Sequence, residues 1–312
     1  MRLSQFLLRR LLAGLGVLWG AATLAFIAMH TTGGDTALAI LGGPDAVATQ
    51  AVIERVRKEY GLDEPVITRY GHYLEKLAHG DLGESYRLRI PVSRAIGQQA
   101  GPTIRLASSA AVVAVLISIA VALLTARGPK SVVAAASGAE LVFSSIPPFV
   151  LGIGLLMLFS LWLPIFPPAG DGNWRSIVLP TLTLALPAAA MLTQVLRQEL
   201  ETILEQPFIL RARAQGLSEA RVRVGRALRH ALIPMATLSG YIFAFLLSGA
   251  VVTETLFSRP GLGRLMGEAL TSKDIPLVLG ITLLSAALYV VINIVVDVFT
   301  ALIHPRLRET AR

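Results

Sequence analysis

Three carboxylate side chains lie inside long apolar stretches of this sequence, where such groups are uncommon. They are Glu140, Glu254 and Asp297, and Asn293 precedes Asp297 by four residues, on the same face of a helix. Holding a carboxylate at the middle of a bilayer costs about 3 kcal/mol or more unless it meets water or a polar partner. Two interpretations stay open: hydrogen bonds between helices, or the lining of a path for a solute or ion.

Side chains that would support catalysis or metal binding are sparse. The sequence contains no cysteine, which excludes disulfides, thiolate metal sites and cysteine nucleophiles. Its five histidines are scattered, and no His-Glu-x-x-His, Gly-x-Ser-x-Gly or Ser-x-x-Lys arrangement occurs. No Gly-Lys dipeptide occurs either, so the chain lacks the phosphate-binding loop of ATP-hydrolysing proteins. We therefore expect no catalytic residues, no cofactor and no metal, which argues against an intramembrane enzyme.

The composition indicates the environment in which these side chains are held. Apolar residues make up 54% of the 312 residues, charged residues 15%, and the mean hydropathy is +0.65. A soluble enzyme of this size does not have such a composition. Apolar runs of about 20 residues, enough to cross a hydrocarbon layer of roughly 30 Å, occur near residues 11–29, 106–126, 134–161, 177–196, 231–257 and 277–303. The sequence predicts an all-α integral membrane protein with six transmembrane helices.

Two of these runs contain prolines, and the first has a second possible interpretation. Pro147 and Pro148 lie in the third run, where they should kink the helix, either as simple bends or as part of a gate. Pro180 and Pro187 should bend the fourth run in the same way. The first run follows three arginines, as a secretory signal would, but its length and the lack of a small-x-small exit favour a retained helix.

The distribution of positive charge predicts the orientation, because Lys and Arg at the ends of membrane helices stay in the cytoplasm. With the N-terminus inside, fifteen of the 28 Lys and Arg residues fall on inner segments: Arg2, Arg9, Arg10, Arg127, Lys130, Arg197, Arg211, Arg213, Arg221, Arg223, Arg226, Arg229, Arg306, Arg308 and Arg312. Both termini are then cytoplasmic. The net charge of +8 follows from this distribution, so it does not require a nucleic-acid partner.

The segment between the first two runs is mostly polar and about 75 residues long, enough for a small extracytoplasmic subdomain. Two short helices are expected in it, one ending before Gly61 and one before Gly80. Their apolar positions recur at helical spacing: Ile53, Val56 and Tyr60 in the first, and Ile67, Tyr70, Leu74 and Leu77 in the second.

A second polar segment, 197–230, is dense in arginine and poor in acidic residues. Breaks at Gln206-Pro207 and at Gly216 predict short helices joined by turns, with Ser218 as a helix cap and Pro234 as a stop. A solvated loop retained by its positive charge would explain the arginines alone. The turn and the stop favour a docking surface on the cytoplasmic side.

These motifs resemble those of a known family, the dipeptide, oligopeptide and nickel permeases of ABC importers. The loop motif of that family matches Ala212, Arg213, Ala214, Gly216, Leu217, Leu232 and Pro234. Further matches occur at Leu8-Arg9-Arg10-Leu11-Leu12, at Gly80 to Ser85, at Glu254 to Gly263, at Asp274-Ile275-Pro276, and at Asn293 with Asp297. Two positions depart from the pattern, since the sequence has Gly33-Gly34-Asp35-Thr36 after the first run and His304-Pro305-Arg306 near its end.

The resemblance implies a type I ABC importer permease in the bacterial inner membrane, with energy supplied by cytoplasmic ATPase subunits. It implies a second homologous permease that lines the other half of the pathway, and an extracytoplasmic solute-binding protein that delivers the solute. The coupling segment would comprise Leu210, Arg211, Ala212, Arg213, Ala214, Gln215, Gly216 and Leu217. Candidate pathway or gate residues are Glu140, Pro147, Pro148, Glu254, Asn293 and Asp297.

The expected organisation divides the chain into four parts: 1–30, with the first membrane helix; 31–104, the subdomain; 105–303, the five-helix core; and 304–312, a cytoplasmic tail. Di- or oligopeptides are the expected solute, and nickel, glutathione or a sugar are the alternatives. An ion-coupled secondary transporter using the three carboxylates as a relay is a further alternative, which would be expected to show an internal repeat.

Overall fold

The computed structural model of the protein describes residues 3–31, 36–41 and 48–303. Over these residues the chain is helical, with a single isolated bridge between Glu84 and Pro91. The α-helices, in chain order, are α1 (Leu3–Thr31), α2 (Thr36–Ile40), α3 (Gln50–Glu59), α4 (Val66–Ala78), α5 (Val92–Thr125), α6 (Lys130–Ser145), α7 (Pro148–Leu156), α8 (Val178–Leu204), α9 (Pro207–Ala214), α10 (Glu219–Val222), α11 (Leu228–Leu256), α12 (Leu262–Thr271) and α13 (Ile275–Ile303).

The two short helices predicted after the first apolar run are present as α3 and α4. Each ends at a glycine in the left-handed region, Gly61 with φ of 60° and Gly80 with φ of 75°. Residues with a Cβ rarely adopt this conformation, so glycine ends a helix there at little cost. The spacing of apolar residues and these two stops were enough to predict both helices from the sequence.

The chain divides into two compact units, and the first comprises Met1–Pro102 and Pro260–Val290. Its largest core cluster joins the start of α5, through Val92 and Ile96, to α12 and to the first turns of α13. Gly280 permits this packing, since a Cβ there would lie 2.4 Å from Cγ1 of Val92. Residues 260–290, which the sequence analysis placed with the membrane core, therefore group with the N-terminal part of the chain.

The second unit comprises Thr103–Arg259 and Val291–Arg312. Helix α8 is at its centre: 72% of its most apolar window is buried, against 17% for α1. Leu184, Leu196 and Leu204 of α8 are fully buried in a cluster that extends through α5, α9 and α11. Because most faces of α8 are covered by protein, it is positioned to hold the surrounding helices and the loop that follows it.

Among the described residues, four helices are long and apolar enough to cross a bilayer, namely α1, α5, α8 and α13. A fifth span is possible if α6 and α7, with the π-helical stretch Met157–Trp162 after α7, form one bent span. Helix α11 has 29 residues, of which Tyr241–Leu256 form an apolar stretch too short to qualify alone. The predicted total of six spans therefore remains a prediction for the described residues.

The prolines act differently from the simple bends that the sequence suggests. At Pro147 and Pro148 the helix breaks completely, because neither proline supplies a backbone donor. The helices on either side are bent by 106° relative to each other. Pro187 lies inside a continuous α8, and Pro180 lies near its start. The stop predicted at Pro234 is wrong, because α11 continues through that position.

Candidate coupling segment and polar contacts

The arginine-rich segment contains a short helix that presents apolar side chains outward. Helix α9 starts with Gln206 at its N-cap and Pro207 in its first turn, as the predicted break requires. Ile209 and Ala212 are buried in the cluster around α8, whereas Phe208 and Leu210 are 41% and 58% exposed. The buried pair anchors the helix, and the exposed pair forms an apolar surface that the described residues leave uncovered.

The predicted coupling segment, Leu210 to Leu217, covers the second half of α9 and the turn after it. Gly216 has a φ of 81° and forms that turn. Ser218 holds the N-cap position of α10, as predicted, although its side chain makes no capping hydrogen bond. Phe208 was missed, although a helix that begins at Pro207 would have included it.

Arg213 closes the turn by an ion pair with a residue beyond it. Its Nε atom donates to Oε1 of Glu219 at 2.7 Å, and Nη2 donates to Oε2 at 3.3 Å. The hydrogen bond from Arg213 holds the pKa of the Glu219 carboxyl below its usual value. The pair ties the end of α9 to the start of α10, so the turn at Gly216 is held from both sides.

Glu140 forms a second and more buried ion pair. Its side chain is 6% exposed and receives two hydrogen bonds of 2.8 Å from Nη1 and Nη2 of Arg197, which is 14% exposed. The partners lie on α6 and α8. Arg197 appeared in the sequence only as one of the inner positive charges, because nothing along the chain marks two residues 57 positions apart as neighbours.

Glu254, on α11, is fully buried and accepts a hydrogen bond of 2.6 Å from the hydroxyl of Thr103, on α5. Thr103 was not predicted as a site residue. Glu140 and Glu254 thus have different partners on different helices. Both contacts favour hydrogen bonding between helices, the first of the two interpretations that the sequence left open.

Asn293 lies on α13 within the described residues. Asp297 lies on the same helix, and its side chain is outside the described part of the structure. Pro147 and Pro148 lie at the break before α7. Next to that break Gly152 approaches Thr183 and Leu256, where a Cβ would lie 2.6 Å from Leu256 Cδ2.

Arg259 is 1% exposed and follows α11. Its guanidinium donates to the carbonyls of Gly170 and Ser176 at 3.1 Å each, and it pairs with the carboxylate of Asp171. These partners belong to the polar connection between the π-helical stretch and α8. In the sequence Arg259 was only one position within the matched stretch Glu254 to Gly263, whereas the structure shows a buried cation that fixes this connection.

A similar contact is made inside the first unit by two segments that the sequence marked separately. The hydroxyl of Ser85 donates to Oδ2 of the fully buried Asp274, and the Arg87 amide donates to the same oxygen at 3.1 Å. The Leu277 amide donates to Oδ1 at 3.3 Å. A carboxylate between one hydroxyl and two amides holds the turn after Gly80 against the start of α13.

No three His, Asp or Glu side chains come together as a metal site anywhere in the described ranges. The groups with structural roles are ion pairs and hydrogen bonds between helices. Such contacts hold helices together, and none of those described gathers a nucleophile with a base.

Comparison with known proteins agrees with this geometry. Residues 114–309 match the family described as binding-protein-dependent transport system inner membrane component, and residues 3–91 match the N-terminal family of such membrane components. The glutathione transport system permease protein GsiC of Escherichia coli O6:H1 is 36% identical over 310 residues, covering 97% of this chain and 99% of the relative.

A permease protein of Brucella abortus that is provisionally assigned to a peptide transport system is also 36% identical, over 98% of this chain and 99% of its own. Among solved structures, an inward-facing MetNI methionine ABC transporter shares the fold with a TM-score of 0.53 and 18% identity, covering 67% of this chain and 96% of that chain. The family matches and the long apolar helices indicate a multi-pass protein of the bacterial inner membrane. With relatives of this kind over almost its full length, the chain belongs to the ABC importer permeases of the peptide and nickel family.

Proposed function

We propose that this chain is one permease subunit of an ATP-driven importer and forms half of a solute pathway with a second, homologous permease. Solute is delivered by an extracytoplasmic binding protein, and energy comes from cytoplasmic ATPase subunits. The observation that carries the proposal is the apolar surface of α9, where Phe208 and Leu210 are exposed beside a rigid anchor.

The anchor explains how movement of an ATPase would reach the membrane helices. Ile209 is fully buried, and so are Leu204 of α8 and Val222 of α10 in the same cluster. A push on Leu210 therefore acts on packed side chains rather than on a free loop. Packed interfaces move as rigid bodies, so α8 and α11 would shift together when the ATPase closes.

The orientation follows from the positive charges. Arg211 and Arg213 flank the exposed surface of α9, and both would be retained in the cytoplasm, where the ATPase is found. Both termini then lie in the cytoplasm, and the segment containing α3 and α4 lies outside, where a binding protein can reach it.

Among the candidate pathway or gate residues, Pro147 and Pro148 are the proposed hinge. The 106° break leaves α7 free of the hydrogen bonds that a continuous helix would share with α6. Asn293 and Asp297 remain proposed lining residues. Glu140 and Glu254 are proposed to hold helices in register, which leaves little support for an ion relay through them.

Di- or oligopeptides are the proposed solute, because one relative is named for the transport of glutathione and the other for the transport of peptides. Glutathione is itself a tripeptide, so the name of the E. coli relative makes it the second candidate. Nickel chelates and sugars remain alternatives within the same mechanism.

The test is assembly of this chain with the ATPase subunits of the same transporter. Changing Leu210→Asp should reduce ATPase co-purification about tenfold, since a charge in the centre of an apolar contact removes its main anchor. Ile67→Asp makes the same change at a 76% exposed position of α4, on the proposed outer side, and should leave assembly intact. Equal assembly of both variants would contradict the proposal. Solute uptake by the chain without any ATPase would contradict it as well and would favour a secondary transporter.

A further inference from the structure

A cavity of about 320 Å³ lies in the first unit, between α1, α4 and the start of α13. This volume lies in the range of small-molecule pockets. Phe26 and His30, near the end of α1, and Ile275 and Leu279, in α13, form part of its wall. Since α1 and α13 are both candidate spans, and the cavity lies where α1 ends and α13 begins, it is placed at the membrane surface.

The rim of the cavity carries both signs of charge. Arg69 and Lys76 are positive, and Glu64 and Asp81 are negative. The acidic groups are already engaged, Glu64 with His72 at 3.4 Å and Asp81 with the Gly83 amide at 2.8 Å. Within residues 3–31, 36–41 and 48–303, neither Arg69 nor Lys76 forms an ion pair, so the positive side remains open to an anion.

His30 contributes an acceptor to the lining of the cavity. Its Nδ1 lies 2.7 Å from the carbonyl oxygen of Phe26. A carbonyl can only accept, so Nδ1 carries the hydrogen, and Nε2 of the neutral ring is left as an acceptor. Nε2 is buried and has no hydrogen-bond partner among the described residues. A buried acceptor without a partner costs free energy, and a donor in the cavity would remove that cost.

Aromatic rings line the same cavity. The Phe26 ring stacks on His30 with centroids 3.9 Å apart and on Tyr73 at 5.7 Å. Tyr60 and Tyr86 meet edge to face at 5.2 Å on the same wall. The faces of aromatic rings attract cations, and an ammonium among them gains more as it loses water.

We propose that this cavity binds a zwitterionic ligand, with its anionic group on Arg69 and Lys76 and its primary ammonium donating to Nε2 of His30 among the rings. Two sources carry this chemistry: the headgroup of phosphatidylethanolamine at the membrane surface, and a free amino acid or short peptide. The inference uses the proposed function only to place the cavity on the outer side of the membrane.

The experiment uses the purified full-length chain without any ATPase. For the lipid, the chain is placed in nanodiscs of phosphatidylcholine containing phosphatidylethanolamine or phosphatidylglycerol, and retained lipid is measured by native mass spectrometry. For the soluble source, dialanine is titrated calorimetrically onto the chain in pure phosphatidylcholine. Saturable binding of phosphatidylethanolamine or of dialanine is the expected result, and the arm that responds identifies the source.

Variants test the site itself. Arg69→Gln removes the positive group and should weaken binding about tenfold or more, because a charge-assisted hydrogen bond to the anion is lost. His30→Phe keeps the ring stack but removes the acceptor, and should also weaken binding. Arg55→Gln, at an exposed position of α3 away from the cavity, is the matched control and should bind as the unaltered chain does.

Three results would overturn the inference: no saturable binding in either arm, equal binding by Arg69→Gln and the unaltered chain, or, if only the lipid arm responds, retention of phosphatidylglycerol as strong as that of phosphatidylethanolamine. Because no ATPase is present, a negative result leaves the assembly test of the proposed function untouched. A failed assembly test would likewise leave this binding result standing.

Discussion

Glu140 and Arg197 form a bidentate ion pair between α6 and α8, with both hydrogen bonds at 2.8 Å and both side chains largely buried. Removing one partner of such a pair leaves an uncompensated charge in a place of low dielectric constant. Removing both partners eliminates the charge as well as the attraction. If Glu140 holds the two helices together, its removal should therefore lower stability, whereas a role as a proton relay would make its removal affect transport.

We expect Glu140→Ala alone to lower the free energy of unfolding by about 3 kcal/mol, and the double variant with Arg197→Ala to cost less than the sum of the single changes. Thermal unfolding of the purified chain in detergent, as a double-mutant cycle, measures this coupling. If Glu140→Gln abolishes uptake while the unfolding midpoint stays constant, the carboxylate acts in transport rather than in holding the two helices together.

Gly216 allows a test of how ATP hydrolysis is coupled to solute uptake. Its φ of 81° suits glycine, and no atom lies within 4 Å of a Cβ built there, so a substitution acts through backbone strain alone. Gly216→Val should reduce uptake by the assembled transporter several-fold while ATP hydrolysis continues, because a β-branched residue costs about 2 kcal/mol in this conformation.

Gly216→Asn is the matched control for that change. Asparagine adopts the left-handed region more readily than other residues with a Cβ, so uptake should be largely retained. Transport and ATP hydrolysis are measured together in proteoliposomes, with a protease-protection assay to show that both variants insert. Wild-type uptake by Gly216→Val would contradict a coupling role for this turn.

At position 259, arginine and lysine should differ in the stability that they give the protein. The guanidinium of Arg259 donates to two carbonyls and pairs with Asp171, and the ammonium of lysine cannot reproduce that fork. Arg259→Lys should lower the free energy of unfolding by about 2 kcal/mol, because hydrogen bonds from a charged group are lost in a buried place. Arg175→Lys, in the same connection but exposed, should have no measurable effect on the unfolding midpoint.

Tyr86, in the segment between α4 and α5, should make the stability of the protein depend on pH. Burial raises the pKa of Tyr86 to about 12, against an ordinary value of 10.0. The folded protein therefore holds this proton more tightly than the unfolded chain, and the stability gained is present below pH 10.0 and is lost as the pH rises through about 12. An absorbance titration of tyrosinate should lose its highest-pH component in Tyr86→Phe; an unchanged curve would refute the assignment.

Helices α3 and α4, which end before Gly61 and Gly80, could be predicted because the features that define them are local. Apolar residues at helical spacing define a face, and Gly61 and Gly80 end the helix where only a left-handed residue fits. The break at Gln206-Pro207 was predictable for the same reason, since proline fixes the start of α9. Pro234 was wrongly predicted as a stop, because packing of a long apolar helix outweighs the loss of one backbone hydrogen bond.

By itself the sequence determined that the chain is helical, belongs in a membrane and carries a basic segment with a turn at Gly216, because composition, periodicity and turn chemistry act over a few neighbouring residues. The tertiary structure decided which polar groups meet. Thr103 reaches Glu254 across 151 positions, Ser85 reaches Asp274 across 189, and the cavity at His30 gathers side chains from several helices. Partners so far apart are set by how the helices pack, and no local pattern along the chain encodes that packing.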